Sequence, residues 1–506
     1  MSDLTAPRTP AGAADELTEQ IAGYRHARQQ IERGILPLAT SLDGLSFELQ
    51  ASLHDLRLER GGYVRLESER WSGLGQITDL VVESRTAAAA GAAGGVLVRL
   101  ARGTGIVLDG DGTPFHDASV RPADSAEVAS WLQAQRPHRA GLTVGELLRA
   151  PGVPATLDSG GLDRHTFMCG QSGSGKTYSL GLLLERVLAE TSLRVVVLDP
   201  NSDYVGLGRP RPDADPALAE RYADVPREVS VWRNHPDAEH PLHLRFADLD
   251  PQAQAAVLGL DPIGDREEYA VLAELLRLQR DGRPLIASVD QLLESEIPGA
   301  RQLGQRALNL GILDWGLWHP EAPSLVAELQ QPSTRCTVVD IGSLGTPQEQ
   351  RTVAEAVLST LWANRLSRTP CLLVVDEAHN VCPAEPTDEL TRLSTERAVQ
   401  IAAEGRKYGL YLLTSTQRPH KVHENVVSQS DNLLLMRMNS RADLADLARI
   451  FSFVPEGLMA GASAFRMGHA LVAGKLLPQP AYVRMGERVS EEGGADIPTT
   501  WATPRT

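Results

Sequence analysis

The residues with the clearest chemistry form one unbroken run: Gly170, Gln171, Ser172, Gly173, Ser174, Gly175, Lys176 and Thr177. The run satisfies the pattern G-x-x-x-x-G-K-[ST]. It follows an apolar segment, HTFMC, and opens a helical one, YSLGLLLERVLAE. The glycines let the backbone turn tightly enough for several N–H groups to face one anion. The helix that begins there adds the positive end of its dipole. The spacing predicts a triphosphate cradle for ATP, with Lys176 reaching the β- and γ-phosphates and Thr177 Oγ helping to hold Mg²⁺. Tyr178 extends the candidate ATP-binding stretch by one residue.

Hydrolysis also needs carboxylates at the phosphate. LLVVDEAHN, Leu372 to Asn380, ends a buried apolar strand in Asp376 and Glu377. Asp376 is the candidate for the magnesium shell, and Glu377 the candidate general base that polarises a water against the γ-phosphate. A strand ending in a solvated acidic pair is the alternative, and the upstream cradle favours the catalytic reading. Downstream, LYLLTS is followed by TQRP, Thr416 to Pro419. Strand C-termini gather beside the nucleotide in a parallel sheet, which places Gln417 at the γ-phosphate or the attacking water. Arg406 and Lys407 end the preceding helix. One of them could reach a neighbouring subunit's phosphate, or both could serve as cations at a helix C-terminus. Arg164 and Arg441 are weaker phosphate candidates. Asp199, in VVVLDPNSDY, lies near the nucleotide, at a subunit interface or in a simple DPN turn. RPHKVHENV is a basic, proline-containing loop after a core strand: either an ordinary surface loop or, on the resemblance given below, the source of the DNA-channel contacts Arg418, His420 and Lys421, since phosphate contacts dominate sequence-independent binding.

These groups need a scaffold. The chain has 506 residues, 42% hydrophobic and 23% charged, which is ordinary for a soluble globular protein of several domains. Apolar β-branched runs alternate with helical stretches over 151–485, as in a parallel sheet covered by helices. The runs are His165 to Cys169, Arg194 to Leu198, Thr337 to Ile341, Leu372 to Val375, Leu410 to Thr414 and Asn432 to Met436. The fold class expected is α/β: a RecA-like P-loop ATPase domain with a helical insertion at about 249–329, preceded by a small N-terminal β-barrel. Short alternating runs separated by glycine place that barrel at 36–123. Residues 1–35 read as a helical arm, 124–150 as a connector with a short helix, and 486–506 as a flexible tail. AAAAGAAGG, from Ala87, reads as a hairpin loop or flexible insert.

The net charge is −16, unlike the basic balance of a simple nucleic-acid-binding protein. An acidic exterior with a small basic channel lining remains compatible with it. No long apolar run predicts a membrane span, and the polar start lacks the features of a signal peptide, so a cytoplasmic location is expected. The four cysteines form no CxxC pair and read as buried, reduced thiols.

Taken in order, RHTFMCGQSGSGKT, VVVLDPNSDY, VVDIGSLGTPQEQ, LLVVDEAHN, EGRKYGLYLLTSTQRP and GHALVAGKLLPQPAYVRM resemble the HerA family of the HerA/FtsK branch of hexameric P-loop ATPases. The resemblance runs from about residue 140 to 485. It implies a homohexameric ring with ATP sites between subunits and double-stranded DNA in the central channel. It also implies a partner nuclease of the NurA kind or another effector, in DNA end processing or anti-phage defence. On this resemblance Lys176 and Thr177 match the cradle, Asp376 and Glu377 the hydrolytic pair, and Gln417 the sensor. Arg406 matches a finger acting in trans, and Arg164 an arginine near the γ-phosphate in cis. The family's DPHGEY is DPNSDY here, so the role of that turn is open. A ring that scaffolds and gates an effector, with motor activity incidental, is the alternative function.

Overall fold

A computed structural model describes residues 11–53, 57–69, 71–87, 96–136, 138–280, 289–319 and 322–493. Residues 88–95 of the alanine-rich insert, the first ten residues of the arm and the tail beyond 493 lie outside the described residues. The chain divides into two compact units.

The first unit comprises Met1–Gln135 with Arg149–Val153 and Pro455–Gly461. Helix α1 (Ala11–Gly34) is followed by six strands: β1 (Leu38–Ser41), β2 (Ser46–Ser52), β3 (Tyr63–Glu67), β4 (Ser72–Ala87), β5 (Val96–Val107) and β6 (Phe115–Pro122). They close into a barrel in the order β1-β2-β5-β4-β3-β6, every pair antiparallel. Alternation decides its inside: Phe47, Leu49, Leu66, Ile77, Ala101 and Phe115 fill the core, and Trp71 stacks on Phe115 with ring centroids 4.8 Å apart. Helix α1 lies against β5. Ala27, Ile31 and Ile35, four residues apart, pack on Val96, Val98 and Leu100, and Leu97 N–H donates to Tyr24 Oη at 2.9 Å. Helix α2 (Ser125–Gln135) closes the unit.

The second unit is built on one twelve-stranded sheet. Its strands are β7 (Gly141–Leu147), β8 (Pro154–Asp158), β9 (His165–Cys169), β10 (Arg194–Asp199), β11 (Val229–Arg233), β12 (His240–Pro241), β13 (Cys336–Asp340), β14 (Cys371–Val375), β15 (Leu410–Thr416), β16 (Ser430–Met436), β17 (His469–Ala473) and β18 (Ala481–Met485). The order is β12-β11-β13-β10-β14-β15-β9-β16-β17-β18-β7-β8. From β12 to β16 the pairing is parallel, and from β16 to β8 it is antiparallel. The central strands β9, β13 and β14 are buried at every position, as a sheet covered on both faces requires. All four cysteines are buried and unpaired. Between β12 and β13 the chain forms the helices Pro251–Val257, Arg266–Arg280, Val289–Leu293, Ala300–Asn309 and Leu325–Gln330.

Two boundaries differ from the sequence reading. The expected connector at 124–150 contains β7, which pairs with β18 and β8 inside the large sheet. The expected tail from 486 begins as a packed segment. Arg488, Val489 and Ser490 are buried, and Val489 N–H and Ser490 N–H donate to the buried Glu185 carboxylate at 2.8 and 2.6 Å. A buried carboxylate must be met by donors, and this segment supplies them. Among the described residues, no helix is long and apolar enough to cross a membrane.

Candidate active site

The cradle leaves the C-terminal end of β9 and runs into helix α3 (Lys176–Glu190). Gly173 and Gly175 adopt φ of 70° and 90°, left-handed values that glycine takes without steric cost. Helix α3 has no side chain capping its N-terminus, so its first N–H groups stay directed at the cradle. The loop is braced from the β16 side. Gln171 N–H donates to Arg437 O at 2.9 Å, Asn439 N–H to Gln171 Oε1 at 3.1 Å, and the Arg437 guanidinium to Gly173 O at 2.9 Å. Gly468 N–H donates to Ser174 O at 2.9 Å.

Sheet order brings the chemistry together. Strand β15 lies between the cradle strand β9 and the carboxylate strand β14. The ends of all three therefore converge at one edge, with residues 415–417 between Lys176 and Glu377. Lys176 Nζ donates to Asp376 Oδ1 at 2.7 Å and to Ser415 Oγ at 3.0 Å, and lies 3.3 Å from Glu377 Oε1. Burial opposes the charge of Lys176, but Asp376 and Glu377 outweigh it, and its pKa is raised. Gln417 Nε2 donates to Glu377 Oε1 at 2.8 Å. Glu377 sits at φ 42°, ψ 50°, a left-handed conformation that costs a non-glycine residue about 1–3 kcal/mol. Its backbone is held there by Glu377 N–H donating to Asp376 Oδ1 at 2.9 Å and Asn380 N–H donating to Glu377 O at 2.8 Å. Thr177 is half-buried, and its hydroxyl has no protein partner among the described residues.

Several residues at this edge were not singled out by sequence. Tyr204, fully buried, donates its hydroxyl to Asp376 Oδ2 at 3.1 Å. His379 Nδ1 lies 3.3 Å from Glu377 Oε2 and 3.0 Å from Thr416 Oγ1. Ser415 and Arg437 complete the set. Tyr204 and His379 stand inside the quoted segments VVVLDPNSDY and LLVVDEAHN, but only the strand order tells which way they face. Asp203, at the same turn, is pushed up to about 6 by burial, with Asp376 adding to the shift and Lys176 opposing it.

Other expected residues lie elsewhere. Arg164 precedes β9, six residues before Gly170, or about 20 Å away at the usual strand rise of ~3.3 Å per residue. The expected cis placement beside the γ-phosphate is therefore corrected: Arg164 stands at the opposite end of its strand. There it meets Asp431 at 3.9 Å, and Arg406 donates to the same carboxylate at 2.6 Å. Neither arginine reaches its own cradle, because both precede strands whose far ends form it. Asp199 takes the turn role: its carboxylate accepts from Asp203 N–H at 2.9 Å and Tyr204 N–H at 2.8 Å. The Tyr178 hydroxyl accepts from Arg488 N–H at 2.7 Å, which ties it to the C-terminal segment. Arg441 begins a helix after β16. Arg418, His420 and Lys421 are exposed on a loop beside the site, where His420 Nδ1 lies 3.0 Å from Asp443 Oδ1.

Residues 142–302 match the family model described as "Helicase HerA, central domain". The chain is 24% identical over 405 residues to the probable DNA double-strand break repair helicase HerA of Methanocaldococcus jannaschii, covering 71% of this chain and 78% of that one. It is 22% identical over 413 residues to the DNA double-strand break repair helicase HerA of Pyrococcus furiosus, covering 68% and 69%. Among solved structures, VirB4 of Thermoanaerobacter pseudethanolicus is similar at 16% identity and a TM-score of 0.45, over 70% of this chain and 97% of that one.

Proposed function

The chain belongs to the HerA family and is an ATPase, and from that premise we propose that it uses ATP hydrolysis to drive double-stranded DNA through a homohexameric ring. The observation that carries the reading is the cluster of Lys176, Asp376, Glu377 and Gln417 at one sheet edge. In this reading the cradle from Gly170 to Thr177 takes the triphosphate, which competes with Asp376 and Glu377 for the Lys176 ammonium. Glu377, released from that ammonium, takes the proton of the attacking water. Gln417, already bonded to Glu377, aligns the water against the γ-phosphate. The Thr177 hydroxyl, without a protein partner among the described residues, fits a magnesium ligand. Asp376 keeps lone pairs for the ion's water shell beside the bonds it accepts from Lys176 and Tyr204. Bound Mg²⁺ would neutralise charge between the β- and γ-phosphates.

Arg406 serves as the finger for a neighbour's γ-phosphate, and its distance from its own cradle is what such a role demands. Arg164 shares Asp431 with it and belongs at the same interface. The relatives named above are described as DNA double-strand break repair helicases, which supports DNA as the substrate here. A nuclease or other effector is the expected partner, in end processing or anti-phage defence. The domain plan follows from the same reading: a HerA-type barrel at 36–123 and a RecA-like motor over 151–485 with the helical insertion at about 249–329.

The test is displacement of a third strand annealed to linear duplex DNA. A translocase releases it only with ATP and Mg²⁺, and Glu377→Gln abolishes release. Third-strand release independent of ATP, or none in the presence of active ATP turnover, would favour the scaffold alternative.

A further inference from the structure

The loop after β15 is tied to Glu377 by a short polar chain. Arg418 N–H donates to Thr416 Oγ1 at 3.0 Å. Thr416 Oγ1 lies 3.0 Å from His379 Nδ1, which lies 3.3 Å from Glu377 Oε2. His379 Nδ1 is hydrogen-bonded to Thr416 Oγ1, and the same nitrogen lies against Glu377 Oε2 as a close electrostatic contact. The environment supports a neutral ring: burial lowers the His379 pKa, against the opposing pull of Glu377. His379 also lines a cleft of about 730 Å³ together with Arg351, Asn380, Arg418, His420 and Lys421. Arg351 is paired with Asp388 at 2.9 Å and His420 with Asp443. Arg418 and Lys421 are exposed and have no acidic partner among the described residues. One side of the chain is thus the catalytic base, and the other is a loop whose free cations face a cleft sized for a phosphate-bearing ligand.

We infer that His379 is a positioning residue that transmits phosphodiester binding at Arg418 and Lys421 to Glu377. The inference rests on the proposed DNA substrate. A backbone phosphate drawn onto the Arg418 guanidinium moves the N–H of the same residue. That N–H holds Thr416 Oγ1, the hydrogen-bond partner of His379 Nδ1. A shift there moves the His379 ring, which lies against Oε2, and hence changes where the carboxylate points. His379 itself neither touches the phosphate nor moves a proton to the water.

The experiment measures steady-state ATP hydrolysis against ATP concentration, with and without linear duplex DNA, for wild type, His379→Ala and His379→Asn. The asparagine amide keeps an N–H donor near the position of Nδ1. In His379→Ala we expect an unchanged KM for ATP, a basal kcat lowered about tenfold as the base loses the ring that positions it, and a DNA stimulation ratio near one. His379→Asn should recover both kcat and the ratio. Full stimulation in His379→Ala overturns the inference. So does an equal rise of KM in both variants, which would mark a structural role. Inorganic phosphate stimulating as well as duplex would assign the cleft to a free anion and overturn the duplex coupling. A wild type indifferent to DNA overturns the functional reading and the coupling with it. A kcat loss in His379→Ala at constant KM, rescued by His379→Asn, would still establish the positioning of Glu377.

Discussion

At the scale of residues, the site divides into groups that one segment announces and groups that only the assembled sheet brings in. The cradle was legible because Gly170 to Thr177 are contiguous and each residue type has one physical purpose there. Asp376 and Glu377 were legible because an apolar strand ends in them. Ser415, Tyr204 and His379 were not, because each reaches the site from a different segment and its neighbours are set by strand order. Arg164 enters beside the γ-phosphate through the family resemblance alone, and its place just before the cradle strand puts it at the end of that strand away from Gly170. Tyr204 offers a test. Its hydroxyl is a buried donor on Asp376 Oδ2, and a hydrogen bond to a charged group is worth about 1.5–3 kcal/mol. Tyr204→Phe should weaken the Mg²⁺ dependence of turnover roughly tenfold, while metal-free nucleotide binding stays unchanged. A magnesium titration of ATPase activity checks this, and an identical midpoint in wild type and variant would remove Tyr204 from the account.

At the scale of elements, the parallel core was readable because each strand is a self-contained apolar run bounded by turns. All six expected runs form strands within one or two residues of their expected limits. The antiparallel half was not readable, since β7 pairs with β18 more than three hundred residues further on, and neither has a distinctive pattern alone. The segment from 486 to 493 lacks apolar periodicity and is held largely by hydrogen bonds to Glu185, so composition suggested a tail. The turn after β10 carries a pH dependence. Burial pushes Asp199 up to about 7 from its ordinary 3.8, even though backbone N–H groups of Tyr204 and Asp203 oppose the shift. The folded chain therefore holds a proton that the unfolded chain has released between those values. The stabilisation is complete below pH 3.8 and is lost as pH rises through about 7. Asp199→Asn cannot titrate. The stability of wild type relative to this variant should therefore fall between about pH 4 and 7, as read by denaturant unfolding at several pH values. A flat or rising difference would contradict the assignment.

At the scale of the whole molecule, the net charge of −16 shapes what any DNA reading must explain. Long-range attraction is not available to such a chain, so contact has to come from local cations such as Arg418 and Lys421. The ring itself was not legible from residues. It entered through resemblance to a family, and the separation of Arg406 from its own cradle gives it a physical motive. We propose above all that this ATPase is a DNA-responsive motor whose base is Glu377. Steady-state ATP hydrolysis by the full chain, with and without linear duplex DNA and alongside Glu377→Gln, tests it most directly. Turnover should rise with duplex and fall by at least about a hundredfold in the variant, with nucleotide binding retained. Turnover indifferent to duplex, or persisting in Glu377→Gln, would contradict it.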